Sequence, residues 1–466
     1  MITEKKFDVV VVGAGMAGLA AAIEAAAGGV RVALLDKLAP PGGPGASVPP
    51  EGIGNETSRA GGGGLARTSL EASVEELLGR HVAKGWGRID PTLIRVYLEN
   101  LIEDSKWLRE SVGLPYAGGR AKGKGAGVFF FLHGVAVQRG VEVILGAKVL
   151  RLLTDEVGRV TGVRAKAGDR VIDFKAGAVV LATGGFEGNQ EMVLKYAGPV
   201  MTYGTVVTGC PTNTGDGHRM ASEIGAQLIN LSVCHARPTD TVSGQDPTRP
   251  MENIYPMGIF INRDCQRFVD EGTADSDTIG NSIAHQPGSE SALIFDEKAR
   301  AKHPEEYEKY PAREKVIHKA ATIEELALKI KMSPEKLKKF IVEFNAAVKE
   351  GKALGLPLPK TEQAYRIDTA PFYAIHPLIT GLDHPLGGLK INTRAQVLDR
   401  ESNPIPGLYA AGSLVNWAFG RPYTVAGVTS YTGTYHAGES GGLPVALVFG
   451  RIAGRGAAQE AEKGRG

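Results

Sequence analysis

The feature that most restricts the fold of this chain is residues 7–37, FDVVVVGAGMAGLAAAIEAAAGGVRVALLDK. Its apolar runs and alanine-rich stretch predict a buried strand, a tight turn, a helix and a second strand that ends at Asp36. The glycine fingerprint G-x-G-x-x-G falls on Gly13, Gly15 and Gly18. In this context it predicts dinucleotide binding, because the glycines make the turn, admit a pyrophosphate and let helix and strand pack closely. Asp36 would accept hydrogen bonds from ribose hydroxyls.

Composition and charge narrow the class of partner. The chain has 466 residues, enough for two or three domains, and a net charge of +2 without a long run of one sign. This balance favours neither a nucleic acid nor an anionic membrane. The glycine density and Glu24 argue against a membrane span at residues 7–35. Cys210, Cys234 and Cys265 have no metal-binding or redox spacing, so we expect reduced thiols, no metal and a cytoplasmic protein.

Two later segments indicate which dinucleotide is bound. AGAVVLATGGFEG (176–188) and PIPGLYAAGSL (404–414) are each a short apolar strand that ends in small residues. This set is typical of two-domain FAD flavoproteins and unusual in nicotinamide-dependent dehydrogenases. The sequence has no second fingerprint for a nicotinamide domain, because GGRAKGKGAGV (118–128) has the wrong spacing. We therefore expect an FAD enzyme without a nicotinamide site of its own.

Seven segments spread over the chain carry a family resemblance: GNETSRAGGGGLA, TNTGDGHRMASEIGA, GIFINRDCQRFVDEG, HQPGSESALIFDEKA, HPLGGLKINTRAQVLD, IPGLYAAGSL and LVFGRIAG. Together they resemble the fumarate reductase/succinate dehydrogenase flavoprotein superfamily, and within it the soluble branch that includes tricarballylate dehydrogenase and 3-ketosteroid dehydrogenases. The resemblance implies an α/β fold. A Rossmann-like FAD-binding domain of the glutathione-reductase type would comprise residues 1–236 and 378–466. Residues 237–377 would form an inserted α+β capping domain that closes over the substrate.

One helix of this predicted cap can be read directly from the sequence. The segment SPEKLKKFIVEFNAAVKEG is amphipathic, with Ser333 as the N-cap and a proline in the first turn. Leu337, Phe340, Ile341 and Phe344 form its apolar stripe. We expect these four residues to lie in the core rather than at a cofactor.

The resemblance also implies which residues bind FAD. They are Gly13, Ala14, Gly15, Met16, Ala17, Gly18, Asp36, Lys37, Asn55, Thr57, Ser58, Gly61, Gly62, Gly63, Val149, Ala182, Thr183, Gly184, Asp216, Gly412, Ser413, Leu443 and Pro444. Membrane-bound members attach FAD through a histidine in the loop GNETSRAGGGG, where this chain has Glu56, so we expect non-covalent FAD. The proline-rich stretch before that loop, PPGGPGASVPPEGI, is either a surface loop or a substrate-facing flap.

The substrate residues depart from the fumarate reductase pattern. Fumarate reductases clamp two carboxylates with arginines and histidines, because guanidinium groups match planar anions. Arg237 stands where the family has a histidine, and Ile254, Asp275 and Ala437 stand where it has arginines. Of this set, His384 is retained. Fumarate and succinate are therefore not the expected substrates.

The polar residues expected near the flavin instead are His235, Arg237, His384, Arg421, Tyr423, Tyr431, Tyr435 and His436. In the ketosteroid dehydrogenase branch, tyrosines remove a proton and polarise a ketone, and a nearby cation such as Arg421 can lower the pKa of a tyrosine. The catalytic candidates are Tyr423, Tyr431, Arg421, His384 and Arg237. Two alternatives remain open: the tyrosines line an apolar pocket, and His384 is a structural residue of a turn.

The sequence thus predicts an FAD-dependent dehydrogenase or reductase that acts on a CH–CH bond next to a carbonyl or carboxylate. Its partners would be a small-molecule substrate and an external electron acceptor or donor. One alternative class is a flavin monooxygenase, which would consume oxygen with a nicotinamide reductant. Another is a non-catalytic electron-transfer or redox-sensing flavoprotein, whose flavin would be reduced by partner proteins and not by small molecules.

Overall fold

The computed structural model describes residues 2–38, 68–70, 72–85, 90–117, 120–121, 124–244, 246–248, 250–310, 312–415, 420–425, 428–433 and 442–464. The strands are β1 Ile2–Lys6, β2 Val9–Val12, β3 Val32–Asp36, β4 Tyr116–Ala117, β5 Arg120–Ala121, β6 Glu142–Leu145, β7 Ala147–Thr154, β8 Val160–Ala167, β9 Arg170–Lys175, β10 Ala178–Leu181, β11 Thr205–Val207, β12 Leu228–Ile229, β13 Cys234–Asp240, β14 Ile259–Asn262, β15 Glu290–Asp296, β16 Ile317–Ala320, β17 Phe372–Pro385, β18 Gly388–Leu389, β19 Gln396–Leu398, β20 Pro404–Ala410, β21 Gly420–Val425 and β22 Val428–Gly433. The helices are α1 Met16–Ala27, α2 Val74–Gly85, α3 Pro91–Glu110, α4 Lys124–Gln138, α5 Gln190–Ala197, α6 Asp216–Glu223, α7 Ser276–Ala284, α8 Glu297–Lys302, α9 Pro304–Lys309, α10 Arg313–Val316, α11 Ile323–Lys329, α12 Pro334–Ala347 and α13 Gly442–Lys463. The predicted α/β class is confirmed.

A six-stranded sheet, in the order β19-β20-β10-β2-β3-β6, forms the centre of the first core. Strands β20, β10, β2, β3 and β6 run parallel, and β2 is buried along its whole length. Helices α1 and α13 pack on this sheet and on each other. Their close approach requires glycine, because a Cβ on Gly450 or Gly454 would overlap the backbone of Ala17 or Ala21. Gly18 lies against the carbonyl of Gly13 in the same way, which is the helix–strand packing that the fingerprint predicts.

The parallel arrangement brings the carboxyl ends of three strands to one edge. Strand β2 ends before Gly13, β3 ends at Asp36 and β10 ends before Ala182. Strands β1, β9, β8 and β7 form a separate four-stranded sheet beside this core. The edge where β2, β3 and β10 end is the place where open α/β sheets bind their ligands.

A second sheet has eight strands, in the path β14-β15-β17-β13-β22-β21, with β11 and β16 also paired to β17. The long strand β17 pairs antiparallel with β13 and β15. Helix α12 packs on this part of the molecule through Leu337, Ile341 and Phe344, with Phe340 partly buried, as the amphipathic pattern predicts. Ser333 caps it, since its hydroxyl accepts a hydrogen bond from Lys336 N over 3.3 Å.

The predicted domain division stays a prediction. Its boundaries fall inside β13 and β17, two strands that pair with each other in the eight-stranded sheet. The hydrophobic core around β14 and β15 is distinct from the core around the six-stranded sheet. In the part of the chain that the structure describes, no helix is both long enough and apolar enough to cross a membrane.

Candidate functional site

A large cavity opens at the carboxyl ends of β2, β3 and β10. It encloses about 940 Å³ of non-protein space, including solvent at its mouth, which is within the usual range for a cofactor site. Its lining residues are Val12, Gly13, Gly15, Met16, Ala17, Leu35, Asp36, Lys37, Leu38, Ala147, Lys148, Val149, Ala182, Thr183, Gly184, Cys210, Thr212, Asn213, Asp216, Met220, Gly412, Ser413, Leu443 and Ala446. Residues from distant parts of the sequence therefore share one site, which we call the dinucleotide cavity.

The dinucleotide cavity brings together most of the described residues that the sequence assigns to cofactor binding. Among the predicted ones, Ala14, Gly18 and Pro444 do not line it. Ala14 instead donates its N–H to Asp36, and Gly18 packs on the fingerprint turn. The predicted residues Asn55, Thr57, Ser58 and Gly61 to Gly63, with Glu56, lie outside the described residues. Lys148, Cys210, Thr212 and Asn213 also line the cavity and were not predicted, although Thr212 and Asn213 lie in the family segment TNTGDGHRMASEIGA.

The geometry at Gly15 fits a bound dinucleotide. Its φ of −72° is accessible to any residue, and no described atom lies within 4 Å of a Cβ built on it. The protein fold itself therefore does not require glycine at this position. Gly15 lines the cavity at the N-terminus of α1, where free N–H groups and the helix dipole favour a pyrophosphate. A side chain at this position would enter the part of the cavity where the fingerprint predicts a pyrophosphate.

Charged side chains also line the dinucleotide cavity, among them those of Asp36, Lys37 and Asp216. Asp36 accepts hydrogen bonds from Ala14 N at 2.7 Å and Leu38 N at 2.8 Å. Burial raises the pKa of Asp36, and these two hydrogen bonds and the charge of Lys37 offset the effect only in part. Lys37 Nζ lies 2.7 Å from Asp216 Oδ2. Burial raises the pKa of Asp216, but Lys37, the hydrogen bond from Thr214 and the charge of Lys148 together outweigh it. The pKa is therefore lowered and this carboxylate is ionised.

A second polar site, which we call the His235 cluster, consists of His235 and Arg237 on β13, Asp277 on α7, and Asp383 and His384 on β17. His235 Nδ1 lies 3.0 Å from Asp383 Oδ2, and His235 Nε2 lies 2.9 Å from Asp277 Oδ1. Arg237 Nη2 lies 3.0 Å from His235 Nε2 and 3.6 Å from Asp383 Oδ2. The rings of His235 and His384 are 5.2 Å apart. Sequence reasoning named His235, Arg237 and His384 but missed both aspartates.

Burial and charge act in opposite directions within the His235 cluster. Burial lowers the pKa of His235, but the charge of Asp277 and the contacts with Asp277 and Asp383 outweigh burial and the charge of Arg237, so the pKa is raised. Burial raises the pKa of Asp383, but His235, His384 and Arg237 together hold it far below its usual value. Asp383 has the most exposed side chain of the His235–Asp277–Asp383 group, at 28 %. His384, the residue that the sequence singled out, is buried.

The two sites share a wall. Cys210 and Asn213 line the dinucleotide cavity, and each donates a hydrogen bond to the buried carboxylate of Glu187. Between them and the His235 cluster lies Gly209, where a Cβ would overlap the carbonyl of Asp383 and contact Glu187. The backbone of Asp383 therefore lies next to Gly209, the residue that precedes Cys210 in the wall of the cavity.

The remaining sequence candidates are placed as follows. Strand β21 carries Arg421 and Tyr423, and β22 carries Tyr431, which is in register with Pro422. Strand β22 pairs with β13 at Cys234, so this hairpin adjoins the strand of His235. The side chains of Arg421, Tyr423 and Tyr431, and the residues Tyr435, His436 and Ala437, lie outside the described part of the chain.

The structure shows structural roles for two positions that the resemblance matches to family arginines. Ile254 is fully buried in an apolar cluster. Asp275 caps α7, since its Oδ1 accepts a hydrogen bond from Thr278 N over 2.8 Å. The described residues thus contain no cation at either position.

The fold and the cavity define a Rossmann-type dinucleotide-binding oxidoreductase. The chain belongs to the family with the description FAD binding domain (FAD_binding_2), whose model matches residues 8–128 and 120–430. It is 31% identical to a probable fumarate reductase of Shewanella frigidimarina over 97% of this chain and 75% of that protein. It is 32% identical to the urocanate reductase of Eggerthella lenta over 97% of this chain and 74% of that protein.

A solved structure supports the same fold. The 3-ketosteroid Δ1-dehydrogenase of Sterolibacterium denitrificans superposes with a TM-score of 0.74 at 21% identity, over 97% of this chain and 99% of that chain. The predicted membership of the fumarate reductase/succinate dehydrogenase flavoprotein superfamily is confirmed. The protein is an FAD-dependent oxidoreductase of the CH–CH group.

Proposed function

We propose that the protein holds FAD without a covalent bond and adds or removes hydrogen across a carbon–carbon bond next to a carbonyl or carboxylate of a small molecule. Bound FAD supplies the acceptor or donor of the hydride, as in other flavin oxidoreductases. The observation that carries the proposal is the wall shared by the dinucleotide cavity and the His235 cluster. This wall would place FAD, which supplies or accepts the hydride, beside ionisable groups that can move the accompanying proton.

The substrate differs from fumarate in this proposal. A dicarboxylate needs cations that are available to it, but Arg237 is already directed at His235 and Asp383. Asp383 itself adds a negative charge on the more open side of the cluster. A substrate with a ketone or a single carboxylate fits this balance better, with Arg237, His384, Arg421, Tyr423 and Tyr431 as the candidate binding and proton-transfer residues.

Anaerobic mixing of the purified yellow protein with saturated cyclic ketones, tricarboxylates and short acids tests the proposal. Bleaching of the flavin band at about 450 nm by one of these classes reports dehydrogenation, because the flavin chromophore is lost on reduction. Chemically reduced protein is mixed with the matching enones and unsaturated acids in the second arm, where recovery of the band reports reduction. Failure of both arms would refute the proposal.

Two controls separate the alternative functions. Oxygen consumption that depends on a nicotinamide reductant would indicate a monooxygenase. Flavin that is reduced by redox proteins and by no small molecule would indicate an electron-transfer or redox-sensing protein. An external electron acceptor or donor is part of the proposal, because the sequence contains no nicotinamide-domain fingerprint and no cysteine cluster for an iron–sulfur centre.

A further inference from the structure

Helix α7 is fixed onto β13 at the place where Asp277 meets His235. Gly280, one turn after Asp277, lies directly on the backbone of β13. Thr380 Oγ1 on β17 donates a hydrogen bond to Gly280 O over 2.8 Å. Asn281 Nδ2 donates to Asp277 O over 2.9 Å. Asp277 is therefore held at the histidine by a helix that has little freedom to shift.

The surroundings of His235 provide a partner for each ring nitrogen. Nδ1 faces Asp383 at 3.0 Å, and Nε2 faces both Asp277 and Arg237. When Nε2 carries a proton, Asp277 can accept it; when Nε2 is bare, Arg237 can donate to it, because a guanidinium has only donors. With a proton on Nε2 directed at Asp277, the proton that His235 can gain or lose is the one on Nδ1, which faces Asp383.

Exposure indicates which member of the group meets the substrate. The side chains of His235 and Asp277 are 1 % and 0 % exposed, whereas that of Asp383 is 28 % exposed. The backbone carbonyl of Asp383 also lies at Gly209, the residue before Cys210 of the cavity wall. A proton that leaves the group toward a substrate must therefore leave through Asp383.

We propose that the proton shared by Asp383 and His235 is the proton delivered to the substrate, and that Asp277 is the positioning residue that keeps it on this pair. This inference rests on the function proposed above and adds its proton path. Asp383 is the catalytic residue of the path, and His235 acts through it.

In the reductive direction, bound FAD would supply the hydride for one alkene carbon, and the Asp383–His235 pair gives a proton to the other. The carbon–carbon π bond breaks and two C–H bonds form. The two electrons come from an external donor of the flavin. His235 is left neutral, with Nε2–H directed at Asp277, and the pair regains its proton from water. Dehydrogenation is the reverse, with Asp383 taking the proton and passing it to His235 Nδ1.

The charged groups around His235 favour the protonated pair. Asp277 on α7 and Asp383 on β17 are negative, Arg237 on β13 is positive, and His384 on β17 and Glu187 at the shared wall are the other ionisable groups nearby. Asp277 is negatively charged and its side chain is fully buried, so a substrate would not contact it. Removing its charge lowers the pKa of the pair, whichever direction the reaction runs.

Nitrogen-15 NMR of histidine-labelled holoenzyme tests the proton's position without any substrate. We expect a histidine protonated on both nitrogens at pH 7, whose signals disappear in His235→Gln. Asp277→Asn should shift its titration to lower pH, while Asp275→Asn on the same helix turn should not, since asparagine also caps helices. A His235 that is neutral at pH 7, or that titrates identically in Asp277→Asn, would overturn the proposal.

Kinetics with a substrate found by flavin bleaching or recovery form the second readout. Asp277→Asn should lower kcat about 100-fold or more with a small change in KM, and should move the pH limb to lower pH. Asp383→Asn should be as slow. Its His235 signals should still be present, which distinguishes catalysis from folding, but they should titrate at lower pH because a negative charge beside the ring is lost. If the wild-type protein reacts and Asp383→Asn keeps its kcat, the proton path is wrong although the proposed function stands.

Discussion

Gly280 of α7 lies directly against the backbone of Arg237 on β13, so that a Cβ at position 280 would overlap Arg237 Cα. Only glycine fits at position 280, because the helix and the strand lie too close together for any side chain. The consequence reaches the candidate site, since this approach sets the distance between Asp277 on the helix and His235 on the strand.

Gly280→Ala is expected to force α7 away from β13. We expect a loss of about 1–3 kcal/mol in the free energy of unfolding, as for other overpacked interiors. The pKa of His235 should also fall, because Asp277 moves away from its ring. Urea unfolding and histidine NMR measure the two effects. The matched control is Gly134→Ala in α4, where a Cβ meets no described atom within 4 Å. This control should be neutral or slightly stabilising, since alanine is the better helix former.

Gly15 and Gly18 should fail in different ways, although both belong to the glycine fingerprint. Gly15→Val is expected to fold, because the backbone there suits any residue, but to lose FAD affinity at least about 10-fold, which corresponds to 1.4 kcal/mol. Gly18→Val is expected to yield little folded protein, because its Cβ would overlap the carbonyl of Gly13. The ratio of flavin to protein absorbance and circular dichroism distinguish the outcomes. A Gly15→Val protein that keeps full FAD content would contradict the assignment of the pyrophosphate to this turn.

FAD should separate from the protein on denaturation. The family resemblance predicts that Glu56 stands where the membrane-bound members have the histidine that carries the covalent bond, and a glutamate does not form that linkage. Acid precipitation should therefore leave all yellow colour in the supernatant, and the intact mass should equal that of the bare 49.2 kDa chain. A yellow pellet, or a chain heavier by one FAD, would show covalent attachment through another residue.

Local sequence patterns predicted the part of the fold that binds FAD. The fingerprint strand, turn and helix, and the strand ends at Asp36 and Ala182, depend on residues close in sequence, whose period and glycine positions are directly readable. The same holds for α12, where Ser333 and the apolar stripe mark the helix. Lys148 and Cys210 line the cavity because the fold brings distant segments of the chain together. No local sequence pattern predicts such contacts.

The acid–base groups were less accessible to sequence reasoning. His384 stood out because its motif resembles the family, yet it is buried, and its neighbour Asp383 has the more exposed side chain. Asp277 belongs to no motif that the sequence analysis identified. Its contact with His235 arises from the packing of α7 on β13, 42 positions away in the sequence (277 − 235). Such long-range pairs become visible only when the register of the strands is known.

Lys360 is a buried lysine whose pKa and contribution to the free energy of unfolding can be measured. It is fully buried, and its Nζ donates hydrogen bonds to Pro256 O at 2.6 Å and Gly258 O at 2.5 Å. Burial lowers its pKa to about 8, although the charge of Glu271 at 3.8 Å opposes the shift. Lys360→Met should reduce the free energy of unfolding by about 3 kcal/mol, because two buried carbonyls lose their donor and an ion pair loses one partner.

The pH dependence of this loss has a definite sign. Between about pH 8 and the ordinary lysine pKa of 10.5, the unfolded chain binds more protons at this residue than the folded chain. Stability from Lys360 therefore increases as pH rises through this window. The difference in unfolding free energy between the wild type and Lys360→Met should widen from pH 7 to pH 10. Lys339→Met, at an exposed lysine of α12, should show no such trend. A difference that stays constant across the window would mean that Lys360 has an ordinary pKa in the folded protein.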